Sequence, residues 1–239
     1  VGRFLQEDVY RGDGLNLYAY CANNPVMYYD PSGYDSLQSD KCDQLDKDNG
    51  DALGNIQKQV PTAFKQTEFA SSYESRINQT PAYENKKVKF VKERGESLCV
   101  LKSKSDVKLN NLLKKAKRKG VLYKNGIPDF SPFAEAEVEI DHMLGGIGKN
   151  GKKARDLNFY QANLKLAEKL NNDSNLALKF NMQSGNVKAS DIEKYRVKNE
   201  LTWHELNDTK TMQLIPTKIN SIFGHLGGVG EINAGAFEN

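Results

Sequence analysis

Apolar positions change their rhythm three times along this chain. Residues 1–34 set short apolar runs among Tyr, Gly and Asn, with turn signals at "RGDG" and "CANNP". That texture predicts short strands joined by tight turns. Residues 35–75 are polar and weakly periodic, with one helical stretch over 54–77 interrupted at Pro61. Beyond residue 75 the pattern sharpens. "KKVKFVKER" alternates as a strand does, and "DVKLNNLLKKAKRKG" has helical spacing, opened by Asp106 and stopped by Gly120. "VLYKNGIPDFSPFAEAEVEI" predicts two strand-like runs around an "NG" turn and a Pro-rich loop. "ARDLNFYQANLKLAEKLNN" reads as an amphipathic helix with Leu157, Tyr160, Leu164, Ala167 and Leu170 along one side, and "ASDIEKYRVKNE" as another helix. Finally "LTWHEL" and "TMQLIP" alternate on either side of "NDTK". Pro216 ends the second run and Thr217 stands as N-cap of "KINSIFGH". A hairpin followed by a helix results, and the whole predicts an α+β fold without internal repeats.

Composition narrows this picture. A chain of 239 residues with 38% hydrophobic and 27% charged residues folds around one sizeable core, or one domain and a smaller module. The net charge of +3 conceals an asymmetry. Asp35, Asp40, Asp43, Asp46, Asp48 and Asp51 crowd one connector, whereas Lys114, Lys115, Lys117, Arg118, Lys119, Lys149, Lys152, Lys153 and Arg155 follow later. A basic second half behind an acidic connector points to a polyanionic partner, although charge runs are also ordinary solvated helix faces. Cys21, Cys42 and Cys99 form no CxxC pair, which argues against a disulfide framework or a cysteine zinc site. No apolar run reaches membrane-spanning length. The chain opens inside a motif-like stretch, so it reads as part of something longer, with any delivery signal upstream.

Two stretches invite chemistry. "GGIGKNGKK" satisfies GxxxxGK, but Lys153 stands where a phosphate-binding loop needs a hydroxyl for magnesium, so a flexible basic turn near phosphate backbone is the expectation. In the terminal hairpin, His204 lies on the first strand, Asn220 in the helix and His225 near the helix end. Phosphodiester hydrolysis needs a group to activate water and a cation to stabilise developing charge. Imidazole, amide and carboxylate groups gathered on a hairpin and its helix offer a mixed N/O shell for magnesium, manganese or zinc. His142, beside Asp141, reads as a structural or surface histidine.

Two resemblances give these features a context. "GRF", "GLNLYAYCANNP" and "DPSG" resemble the closing segment of the Rhs/YD-repeat core, a β-cage that encloses a variable C-terminal toxin. The resemblance implies self-cleavage shortly after "DPSGY" through paired aspartates at Asp8 and Asp30, although Asp8 is followed by Val9 where the family has proline. "TWHELNDTKTMQLIPTKINSIFGHLGG" resembles the WHH-type nucleases of the HNH/endonuclease VII (ββα-metal) superfamily, and "RDLNFYQAN" resembles the helix that precedes their hairpin. Matched positions are Trp203, His204, Asp208, Met212, Gln213, Pro216 and His225. Glu205 replaces the second histidine, and Asn220 replaces a frequent helix histidine.

The expected architecture is therefore an Rhs-core tail at 1–34, an acidic connector at 35–74 and a nuclease toxin domain at 75–239. That domain is expected to be α+β, with a ββα-metal hairpin-plus-helix core, additional helices and short strands. The resemblance implies a metal-dependent DNase with His204 as general base, and with His225, Asn220 and Glu205 as ligands of a divalent metal ion. The exchange of roles, with His204 on the metal, stays open. Glu205 and Asp208 complete the candidate catalytic set, Asp208 either orienting a ligand or accepting turn hydrogen bonds. Arg155, Lys152 and Lys210 are the expected phosphate contacts. Expected partners are DNA or RNA substrate, a cognate immunity protein and the upstream Rhs shell. Delivery by a bacterial secretion system to a target-cell cytoplasm follows from the same resemblance. A metal-dependent RNase of the same fold and a non-catalytic basic nucleic-acid-binding module are the alternatives.

Overall fold

The structure, a computed structural model, describes residues 69–103 and 106–236 and the backbone of two short strands nearer the start. The chain divides into two compact units, Val1–Lys58 and Gln59–Asn239. In the first, β1 (Tyr28–Tyr29) pairs antiparallel with β2 (Leu37–Gln38). Asp8, Asp30, the cleavage position after "DPSGY", the acidic run 40–51 and the break at Pro61 lie outside the described residues.

The second unit holds two small antiparallel sheets and seven α-helices among its described residues, so the fold is α+β. Helix α1 (Tyr73–Gln79) is capped by Ser72, whose hydroxyl accepts from the Ser75 amide. The first sheet runs β3 (Val88–Phe90), β4 (Leu98–Leu101), β5 (Gly120–Lys124) and β6 (Ile127–Pro128) in sequence order. Helix α2 (Val107–Lys115) lies between β4 and β5, and Asp106 caps it by accepting from the Leu109 amide. Its end differs from expectation. Lys117, at φ 54°, turns the chain out of the helix, and Gly120 already belongs to β5. A Cβ on Gly120 would stand 2.1 Å from the Cys99 carbonyl oxygen, so that glycine serves close strand approach rather than helix termination. Asn125 and Gly126, at φ 55° and 76°, form the two-residue turn between β5 and β6.

The second sheet carries the predicted hairpin. Its order is β7 (Ala136–Glu139), β9 (Thr211–Pro216) and β8 (Leu201–Glu205), with Trp203 opposite Leu214 and His204 opposite Gln213. Helix α3 (Gly148–Asn172) covers one face, with α4 (Ser174–Lys179) and α5 (Ala189–Lys198) packed against it. The expected loop "GGIGKNGKK" is instead split, because α3 starts at Gly148 and takes in the lysines. Gly146 and Gly148, at φ 151° and 61°, let the chain turn into the helix, and Lys residues then propagate it readily. Leu164 also departs from expectation, being 41% exposed. The buried face of α3 runs instead through Leu157, Tyr160, Ala162, Leu166, Ala167 and Leu170, because β7 and α5 each cover part of it.

Two cores meet at β9. Met212 and Leu214 pack with Val138, Leu166, Leu170, Ile192 and Trp203. Ile215 joins Val88, Cys99, Leu109, Val121, Phe130, Ile219 and Phe223. Alternation along one strand thus feeds both cores, which is why β9 is buried throughout Thr211–Ile215. Burial pushes the Cys99 thiol up to about 12, leaving it a neutral packing group. Leu214→Ala should cost about 2–5 kcal/mol of stability, read as a lower midpoint in a denaturant melt, because it opens a cavity under Trp203.

Helix α6 (Thr217–Ile222) follows β9 directly. Pro216 occupies the N-cap and Thr217 is already helical, with no side-chain cap, so Thr217 does not play the expected capping role. Proline presets the backbone angle at this junction and removes a donor that would otherwise need a cap. Helix α7 (Gly228–Asn233) presents the buried Glu231, which accepts from the Ser71 amide at 2.8 Å, the Ser71 hydroxyl at 2.7 Å and Asn207 Nδ2 at 2.7 Å. These charge-assisted bonds tie the hairpin turn to the chain entering α1.

Candidate active site

The end of β8, helix α6, the loop after it and the start of α3 enclose a cavity of about 290 Å³. His204 and Glu205 come from β8, Asn220 from α6, and Arg155 and Phe159 from α3. His225 lies beyond the helix C-cap Phe223 rather than near the last helical turn, yet its loop brings it into the same cavity.

His204 is 3% exposed, and its ring meets that of His225 edge-on at 4.6 Å between centroids. Phe130 packs edge-on against both, at 4.9 Å and 5.3 Å. Burial holds the His204 imidazole well below its ordinary value, and the neighbouring His225 lowers it further. Burial lowers His225 as well; its contact with the Phe223 carbonyl opposes the shift, and the Arg155 charge adds to it. Both rings are therefore neutral near pH 7, with nitrogen lone pairs free for a cation. His225 Nδ1 lies 3.1 Å from the Phe223 carbonyl oxygen. In a neutral ring that contact assigns the proton to Nδ1 and leaves Nε2 as the acceptor.

Asn220 supplies a third donor. Its Oδ1 is buried and has no hydrogen-bond partner, a state that costs about 1–3 kcal/mol for a desolvated carbonyl. Two neutral imidazoles and an unsatisfied amide oxygen fit a divalent cation of the magnesium, manganese or zinc type. Among the described residues no three His, Cys, Asp or Glu side chains gather as a ligand group, so Asn220 is needed to complete such a set.

Glu205 lines the same cavity and is held by two partners from α3. Its Oε1 accepts from Asn158 Nδ2 at 3.0 Å, and its Oε2 lies 3.7 Å from Arg155 Nε. Burial raises its carboxyl above the ordinary value, while the Asn158 hydrogen bond and the Arg155 charge pull it back. A buried carboxylate of raised basicity beside an exposed guanidinium can take a proton from water while the guanidinium meets a phosphate.

Five predicted positions thus converge: Arg155, His204, Glu205, Asn220 and His225. Three do not. Asp208 accepts from the Lys210 amide at 3.1 Å and the Thr211 amide at 2.8 Å, closing the hairpin turn. Lys210 pairs with Glu139 at 3.5 Å, and Lys152 is exposed on α3; neither lines the cavity. His142 also stays outside it, in the segment before α3, where Gln161 holds its backbone. Sequence reasoning missed Phe130, Asn158 and Phe159. Of these only Asn158 left a signal, a polar residue inside the buried face of α3, three positions after Arg155.

Residues 120–227 match the family model described as the DNase/tRNase domain of colicin-like bacteriocin. That stretch runs from the start of β5 to the last cavity glycine, Gly227, and supports a nuclease toxin domain. No curated protein and no solved structure matches the chain.

Proposed function

We propose that this chain is a metal-dependent nuclease of the ββα-metal, WHH-like type, and that it hydrolyses phosphodiester bonds of DNA. The reading rests on one observation. The neutral pair His204 and His225 and the unsatisfied Asn220 Oδ1 share a cavity with the Glu205–Arg155 pair, inside the stretch that matches a nuclease family. His204, His225 and Asn220 would hold the cation. When bound, the cation would supply Lewis-acid stabilisation of charge on the phosphate and leaving oxygen. Glu205 takes the proton from the attacking water through Oε2, and Arg155 orients the phosphate. This exchanges the first-expected roles of the adjacent strand residues. Glu205 is favoured as the base because its Oε2 lies 3.7 Å from the exposed Arg155 guanidinium that would meet the phosphate, whereas His204 packs edge-on between His225 and Phe130.

The Rhs-like opening supports delivery as the C-terminal toxin of a larger shell, with release through Asp8 and Asp30, a cognate immunity protein in the producer and action in the cytoplasm of a target cell. No described helix is long and apolar enough to cross a membrane. RNA is the second substrate to weigh, because the matching family description covers tRNases as well as DNases.

Incubation of the chain with plasmid DNA and, separately, with total RNA tests both readings, each with magnesium, manganese, zinc or chelator. DNA loss that requires metal is the expected result. RNA loss alone would move the substrate, and no cleavage of either would leave a binding module.

A further inference from the structure

The segment between β7 and α3 is held in an unusual way. Its alternate residues His142, Leu144 and Gly146 are each paired, through both backbone N–H and C=O, with one side-chain amide. Gln161 Oε1 accepts from the His142 amide at 3.3 Å and its Nε2 donates to the His142 carbonyl at 2.7 Å. Asn158 Oδ1 accepts from the Leu144 amide at 2.8 Å and its Nδ2 donates to the Leu144 carbonyl at 3.0 Å. Asn233 does the same for Gly146, at 2.7 Å and 3.1 Å. Side-chain amides thus replace the neighbouring strand that an extended segment otherwise needs.

Only one of the three reaches the site. Asn158 is fully buried, and the second hydrogen on its Nδ2 goes to Glu205 Oε1 at 3.0 Å. The backbone pairing at Leu144 fixes which way the amide faces, because its oxygen must meet an N–H and its nitrogen a C=O. Its remaining hydrogen is therefore aimed at the carboxylate by bonds that have nothing to do with the carboxylate. We propose that Asn158 is a positioning residue for Glu205: it locks the carboxylate by Oε1 and leaves Oε2 as the oxygen that faces water and Arg155. The assignment rests on Glu205 being the base. No close substitute does this. Aspartate cannot donate, leucine can neither donate nor accept, and glutamine is one methylene too long for the same pair of contacts.

Gln161 is the internal control, because it makes the same backbone pairing one helical turn further along without touching Glu205. Steady-state cleavage of plasmid DNA with saturating metal is compared for Asn158→Ala, Gln161→Ala, Glu205→Gln and the double variant Asn158→Ala/Glu205→Gln, each checked for folding by its thermal melt. Asn158→Ala should lower kcat about 100-fold with KM little changed, the usual cost of misplacing a reacting group by about an ångström. Gln161→Ala should stay within about 3-fold of the parent, well under a tenfold barrier change. The double variant should be no slower than Glu205→Gln alone, since both changes act through one carboxylate. Equal losses for Asn158→Ala and Gln161→Ala, or a further loss in the double variant, would overturn the proposal and leave Asn158 a scaffold residue. Full activity in Glu205→Gln would instead overturn the assignment of the base. If Asn158→Ala does not fold, Asn158→Leu replaces it; this variant nearly keeps the side-chain volume, can neither accept from Leu144 nor donate to Glu205, and is expected to show the same loss in kcat.

Discussion

Glu205→Gln should reduce kcat by about 10²–10⁴-fold, the range that a positioned general base contributes, with little change in KM or in melting temperature. The substitution keeps the shape of the side chain and an oxygen to accept from Asn158 Nδ2. It removes only the negative charge and the basic lone pair. The protein should therefore fold as before, because a buried carboxylate carries a desolvation cost that the neutral amide does not. Binding of DNA in chelator should be unchanged or slightly tighter, since Arg155 loses its carboxylate partner at 3.7 Å and is free for phosphate. Retained turnover in a well-folded variant would remove Glu205 from the mechanism and return His204 to the role of base.

His225→Ala carries the second large effect, on the metal rather than on the proton. The parent should melt higher with magnesium, manganese or zinc than with chelator, by about 2.7 kcal/mol when the metal is at a hundred times its dissociation constant. In His225→Ala that difference should vanish for the metal that supports cleavage, and cleavage should fall at least 100-fold, beyond what loss of a mere supporting partner of a metal ligand causes. The melt separates this result from simple misfolding, because it is read as a metal-dependent difference within one variant. The ring also packs on Phe130 and His204, so some stability is lost whether metal is present or not. An unchanged metal-dependent shift would exclude His225 as a ligand and leave it an aromatic packing residue.

The two outcomes bear on different halves of one cavity. Glu205 is tied to α3 through Asn158 and Arg155, whereas the imidazole pair is tied to Phe130, which follows the β5–β6 hairpin. The first sheet therefore does more than sit beside the hairpin that carries His204 and Glu205. Tyr123 on β5 donates its hydroxyl to the Gly224 carbonyl at 3.0 Å, anchoring the loop that carries His225. Phe130 and Phe223 close the core underneath it. Residues from β5 to Gly227 fall within the matching stretch, and β3, β4 and α2 before it complete the first sheet and the second core.

Much of this was legible in the sequence, for identifiable reasons. Strict alternation in "LTWHEL" and "TMQLIP" around a polar turn allows little besides a hairpin, and "NG" flanked by apolar runs did the same for β5 and β6. Asp106 announced α2 because a short acceptor before a helical pattern satisfies an otherwise orphaned amide. Legibility failed where two local signals competed. "GGIGKNGKK" contains both turn-forming glycines and helix-forming lysines, and the close approach of Ile232 to Gly145 and of the Gly146 backbone to Gly151 leaves no room for a side chain at either glycine, a constraint that no local signal carries. Leu164 fitted the apolar stripe by spacing, but which flank of a helix is covered depends on what packs there.

The sequence by itself determined the α+β class and the hairpin with its following helix, which follow from periodicity and turn chemistry over short spans, while the five side chains that meet in the cavity were named from residue type and the resemblance to WHH-type nucleases. Only the tertiary structure decided which surroundings each of those side chains meets. His204 and Glu205 are neighbours with nothing between them in sequence to tell base from ligand. One is enclosed by two aromatic rings and stays neutral, while the other is held by an amide and a guanidinium from a helix about fifty residues earlier. Burial, the surrounding dipoles and the direction in which a buried amide must face are set by packing between distant segments, and those set the chemistry.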